Sequence, residues 1–152
     1  MALQAIRELT HVEVAAPTES ASSEHAEEQD TSLVAELARA ESSLAAPEEE
    51  DEEALGFSSE ALVRAKAFLL TQSKQFRKIC GYFPPAPRIG PGPRGSVDLY
   101  WKEKDWELLI NVPLESTKLA TFYGDDYGSQ KIKGSFAPSS FHYGIIPWLI
   151  RS

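Results

Sequence analysis

Apolar and polar residues alternate most persistently between Ser96 and Val112. Val97, Leu99 and Trp101 interleave with Ser96, Asp98 and Tyr100, the period expected of a strand with one buried face. After a polar gap from Lys102 to Asp105, Trp106, Leu108, Ile110 and Val112 take up the same period, so the gap reads as a hairpin loop. Leu109 breaks the alternation, which predicts a strand covered on both sides and central in its sheet. Pro113, with no N–H to donate, ends it. A third run, Leu119 to Tyr123, stops at Gly124-Asp125-Asp126-Tyr127-Gly128. A fourth, Ser129 to Phe136, sets Ile132 and Phe136 on one face and Lys131 and Lys133 on the other. Two successive hairpins result, a four-stranded antiparallel meander with one apolar and one polar face.

Helical spacing appears upstream. Leu62, Ala65, Leu69, Phe76 and Ile79, flanked by Ala61 and Phe68, share one face of a helix that starts at Ser58 or Ser59. Glu60 in its first turn and Arg77 and Lys78 in its last suit the helix dipole, and Gly81 stops it. A helix of this length can cover a small sheet that would not be stable alone. Between the two lies PPAPRIGPGPR, residues 84–94, read as an extended strap. Pro84, Pro87 and Arg88 come near a polyproline ligand, though such a segment is more often a connector. Past Phe136, the apolar run Ile145-Ile146-Pro147-Trp148-Leu149 is expected to dock back onto the body.

The first third of the chain carries little apolar pattern. Ala2, Ile6 and Leu9 suggest a weak helix face, and residues 15–30 hold no large apolar side chain and are expected to be disordered. Leu33, Leu37 and Leu44 recur at helical spacing behind the capping residues Asp30, Thr31 and Ser32. They predict a helix over 31–45 that forms transiently in a solvated tail or folds into a partner's groove. Glu48 to Glu53 is an unbroken acidic run, read as a linker. The expected architecture is therefore α+β: one amphipathic helix packed on a four-stranded antiparallel meander (residues 56–152), with a disordered acidic N-terminal tail (residues 1–55).

Charge sharpens the division. Residues 1–55 hold fifteen acidic and two basic side chains, and residues 56–152 eight acidic and thirteen basic, so −13 and +5 make up the net −8. An acidic tail on a basic body can fold back on it, screen it from nucleic acid, or bind a basic partner. No stretch approaches a membrane span, and Met1 is not followed by the basic start and apolar core of a signal peptide. Cys80 is the single cysteine, so neither an intramolecular disulfide nor a cysteine metal cluster is expected. These features favour a cytoplasmic protein.

Catalytic patterns are thin. Gly124-Asp125-Asp126 resembles the metal-holding turn of palm-type polymerases, but that chemistry needs a further carboxylate, for which Asp98 is the one partner in prospect. A hairpin turn explains the same residues. His142 with Ser139 or Ser140 lacks a group to orient the imidazole, and Cys80, near Arg77 and Lys78, reads as a packing residue. Phosphate-loop, dinucleotide and zinc spacings are missing from the sequence. Nucleic-acid binding has more support: Tyr100, Tyr123 and Tyr127 offer rings beside Lys131 and Lys133, although six carboxylates crowd the same sheet.

The glycine-aromatic turn Gly56-Phe57, the helix Ser58 to Leu70, the strap Pro84 to Pro93 and the hairpin Gly95 to Pro113 with its G-S-V-D-L-x-W opening together resemble a family of small bacterial proteins of no established activity. The resemblance spans about half the chain; it implies a fold but no catalytic residue and no cofactor. The leading expectation is a non-enzymatic protein-interaction module, the regulatory half of a bacterial protein pair. Leu33, Leu37, Leu44, Tyr100, Tyr123, Tyr127, Lys131 and Lys133 are its candidate contact residues. A nucleic-acid-binding domain autoinhibited by its acidic tail is the alternative, and a metal-dependent hydrolase at Asp125 and Asp126 a distant third.

Overall fold

Alternation builds strands where it is strongest. The computed structural model describes residues 29–45, 58–139 and 142–150. Its elements are α1 (Thr31–Ala45), α2 (Ser59–Cys80), β1 (Arg88–Pro91), β2 (Val97–Lys102), β3 (Glu107–Val112), β4 (Ala120–Asp125), β5 (Lys131–Phe136) and α3 (Ile146–Ile150). The strands form one antiparallel sheet in the order β1-β2-β3-β4-β5. All the elements belong to one compact unit, Thr31–Ser152. The helix expected near Met1, the disorder expected over 15–30, the linker at Glu48 to Glu53 and Ser140 fall at least in part outside the described residues.

The α+β reading with an antiparallel sheet holds; two details of it do not. The sheet has five strands, because the strap supplies β1. Its register pairs Ile89 with Leu99 and Gly90 with Asp98. Residues 87, 89 and 91 are the positions whose backbone points away from β2, and two of them are proline. A proline-rich segment can therefore serve as an edge strand, since it loses no ladder bond. Pro84 and Pro87 are buried, and Trp101 Nε1 donates to the Pro85 carbonyl at 2.7 Å, so the polyproline-ligand reading is replaced by a packed strap.

The second departure is α1, an additional packed helix. Leu33 and Leu37 are 2% and 4% exposed and belong with Ala40 to the same core as α2 and the sheet. Their burial surface, β1 and α2, lies far along the chain, so the local pattern resembles a solvated helix. Glu36 does more than pair with Arg39. It accepts the outward N–H of Ile89 at 3.0 Å, while Arg39 donates to the Ile89 carbonyl. Lys66 on α2 reaches Glu41 on α1 at 2.9 Å.

α2 is capped as its sequence requires. The Ser58 side chain accepts from Ala61 N–H, and Gly81, at φ 84°, donates to the Arg77 carbonyl. Leu62, Ala65, Phe68, Leu69 and Phe76 are buried over β2 and β3. Ile79, expected on this face, is 54% exposed; the last buried residue of α2 is Phe76, and in the final turn it is Cys80 that packs against the core. At the other margin Ile145, Ile146, Trp148 and Leu149 are buried, and Trp148 meets Trp106 edge-on at 6.5 Å. Gly124, expected in a turn, lies inside β4: a Cβ there would come within 2.9 Å of Ile132 and 3.3 Å of Trp148. The glycine makes room for the docked terminus.

Gln72, 2% exposed, pins that terminus to α2 by donating to the His142 carbonyl at 3.0 Å and accepting its N–H at 3.2 Å. The Glu36 clamp gives a test. Burial alone would raise its pKa, but the Arg39 and Ile89 hydrogen bonds and the charges of Arg39 and Arg88 outweigh burial and hold it below the ordinary 4.5. Glu36→Ala leaves the Ile89 N–H without its acceptor and removes the ion pair with Arg39, and is expected to cost ~2 kcal/mol in urea denaturation at neutral pH. A carboxylate with a lowered folded pKa stabilises above its unfolded value, so the deficit should shrink as pH falls below 4.5.

Candidate functional site

The described helices lie on one side of the sheet, and the other side is built from the alternate residues of each strand. Register places Arg88, Tyr100, Leu109, Tyr123 and Lys133 in one row across the strands. Lys102, Glu107, Asp125 and Lys131 form the next row. Within this open face is a shallow depression of about 490 Å³, lined by Arg88, Gly90, Asp98, Tyr100, Glu107, Leu109 and Tyr123. Leu109, which broke the alternation, is half-buried in it. β3 is central in the sheet as expected, but its second side carries this depression and not a cover.

The tyrosines are held by carboxylates. Tyr100 Oη donates to Glu107 Oε2 at 2.6 Å, and Tyr127 Oη donates to the same oxygen at 3.1 Å. Tyr123 Oη donates to Asp125 Oδ2 at 3.1 Å, with Lys131 Nζ 4.0 Å from that oxygen. The bond to Glu107 is the first cause that pushes the Tyr100 phenol up to about 12, followed by burial and the Glu107 charge. The Asp125 bond, followed by burial and nearby charge, raises that of Tyr123. At neutral pH these phenols are donors fixed by their acceptors, and what they present outward is ring surface with little rotamer entropy left to lose.

Tyr100, Tyr123, Tyr127, Lys131 and Lys133 thus do gather on one side of the sheet, and Tyr100 and Tyr123 line the depression. Leu33 and Leu37 are spent in the core, and Leu44 lies in α1 with its side chain outside the described residues. Glu107 was legible only as a charge in the sequence; that it anchors two phenols depends on the β2–β3 register and on the β4–β5 turn that carries Tyr127. Arg88 and Gly90 enter the lining because the strap is a strand, which local pattern did not indicate, whereas Asp98 lies on the polar face that the alternation of β2 marked out.

The catalytic patterns disperse. Asp126 accepts from the Gly128 and Gln130 N–H groups at 3.1 and 2.8 Å, and Asp125 from that of Tyr127 at 2.8 Å, so both organise the turn in which Tyr127 adopts a φ of 60°. Asp98 stands two strands away and in the row of Thr121, not of Asp125, and receives Asn111 Nδ2 at 2.8 Å. Among the described residues no group of three or more His, Cys, Asp or Glu side chains could hold a metal ion. His142 lies on the helix side, its ring 5.2 and 4.8 Å from those of Phe122 and Phe136, and its buried Nε2 has no partner among the described residues. Cys80 is free and half-buried. No helix among the described residues is long and apolar enough to cross a membrane. Comparison with protein-family models, with curated proteins and with solved structures yields no match.

Tyr100, with a folded pKa above its ordinary 10, contributes stability present below pH 10 and lost as pH rises toward 12. Glu107→Gln removes the charged acceptor and should bring the Tyr100 transition back toward 10 in a spectrophotometric alkaline titration, with Tyr100→Phe identifying the band. Burial lowers the pKa of His142 below 6.5, so the neutral ring stabilises above that value and the contribution is lost as pH falls through the folded pKa. His142→Phe should flatten this acid limb in thermal melts recorded below pH 6.5.

Proposed function

We propose that this protein is a non-enzymatic protein-interaction module of the cytoplasm that docks a partner on the open face of its sheet, around Tyr100, Leu109 and Tyr123. The observation that carries the reading is the pre-ordered tyrosine surface. Two carboxylates hold three phenols in place beside a depression of about 490 Å³. Anchored tyrosines favour protein contact because they add large amphipathic area with little ordering cost. A single free cysteine suits a reducing compartment.

Nucleic-acid stacking is the second reading, favoured by Lys131 and Lys133 beside the rings. Glu107 and Asp125 lie among those rings and would meet the phosphates of a bound strand, which supports the protein partner instead.

A photo-crosslinking residue at position 123, with a control at exposed Val63 on α2, separates the readings. The expected result is one discrete protein adduct at 123, lost on Tyr100→Ala, and none at 63. Salt-sensitive binding of single-stranded oligonucleotides that disappears in Tyr100→Ala/Tyr123→Ala would put the nucleic-acid reading in its place.

A further inference from the structure

Among the described residues the two edges of the sheet differ: β1 offers no free N–H outward, while β5 has no second strand beside it. On the β1 edge, the backbone groups aimed away from β2 belong to Pro87, just before the strand, and to Ile89 and Pro91 within it; prolines have no N–H, and α1 takes both groups of Ile89 through Glu36 and Arg39. On β5 the hairpin sets the parity. Asp126 N–H donates to the Gln130 carbonyl at 3.1 Å, so even-numbered β5 residues bond to β4, and Lys131, Lys133 and Ser135 aim their backbone groups outward. Among the described residues β5 pairs with β4 alone. Its side chains are also two-sided: Lys131, Lys133 and Ser135 are exposed on the open face, while Ile132 and Phe136 pack half-buried against the core on the helix face.

We infer that the β5 edge accepts a sixth strand from the partner, an extended segment whose side chains alternate between acidic and β-branched apolar residues. The inference rests on the docking-module reading and narrows what the partner brings. The outward groups of Lys131, Lys133 and Ser135 supply the main-chain bonds. Acidic side chains fall beside Lys131 and Lys133 on the open face, and apolar ones beside Ile132 and Phe136, completing their burial. Charge selects the occupant. A second copy of β5 brings lysines to the same face and is repelled, so the residues that guard the edge against self-pairing attract an acidic strand.

The test uses the full 152-residue chain, isotope-labelled, and an end-capped peptide of alternating Glu and Val with the six-residue length of β5. Addition of the peptide should slow amide exchange at Lys131, Lys133 and Ser135. Lys131→Glu/Lys133→Glu should bind it roughly tenfold more weakly and prefer an alternating Lys and Val peptide. The edge proposal falls if the changes gather on Tyr100, Leu109 and Tyr123 while the β5 amides stay constant, a result that leaves the face reading intact. It falls equally if a probe N-methylated at alternate residues binds as well in either register, or if the β5 amides are protected before the peptide is added and indifferent to it. Slowed β5 amides without a crosslink at position 123 would keep the edge and remove the face.

Discussion

Leu99, Leu108 and Ile110 make up the centre of the sheet's apolar side, and Phe68, Leu69 and Phe76 of α2 belong to the core that keeps water from them. Burying each such side chain contributes ~2 kcal/mol, so this contact is what the strands' order depends on. One helix cannot cover five strands. The margins are closed by segments from the two ends of the unit: α1 over β1, with Leu33 and Leu37 in the core, and the Ile145–Leu149 run beside Trp106 and Gly124. The added covers need fastening, and each has a polar clamp, Glu36 and Arg39 on Ile89 for one and Gln72 on the His142 backbone for the other.

Because the described helices are all committed to the same side, the polar groups of the opposite face bond among themselves. They do so through tyrosine–carboxylate bonds, which explains why charged residues and rings share that face without strong charge of one sign. A second polar knot at the end of β2 joins Asn111 to Ser96 and Asp98. The Gly92 backbone lies so close over it that a Cβ would stand 2.4 Å from Ser96 Oγ. The phenols, Glu107, Asp125 and Asn111 spend their hydrogen bonds on positioning, which leaves ring surface, the exposed Lys131 and Lys133 and the strand edge as this side's means of contact.

Much of the architecture was legible from Ser58 onward. Period-two alternation located β2 and β3, Gly81 located the end of α2, and the apolar character of Ile145 to Leu149 foretold their docking, because each depends on neighbours within a few residues or on bulk hydrophobicity. The rows of the candidate face were legible in part: Tyr100, Tyr123, Lys131 and Lys133 had the right parity. Glu107 as their anchor and Arg88 as a wall were not, since register and a fifth strand decide both.

The amino-acid order alone determined which residues alternate, where the long helix is capped, and that the chain is charged asymmetrically, all properties of local backbone preference and composition. Tertiary structure decided that the strap pairs as an edge strand, that Leu33 and Leu37 lie inside and not in solvent, and that Gly124 is a space and not a turn. Those outcomes turn on which distant surface meets a segment, and the free energy of that meeting is written in no single stretch of the chain.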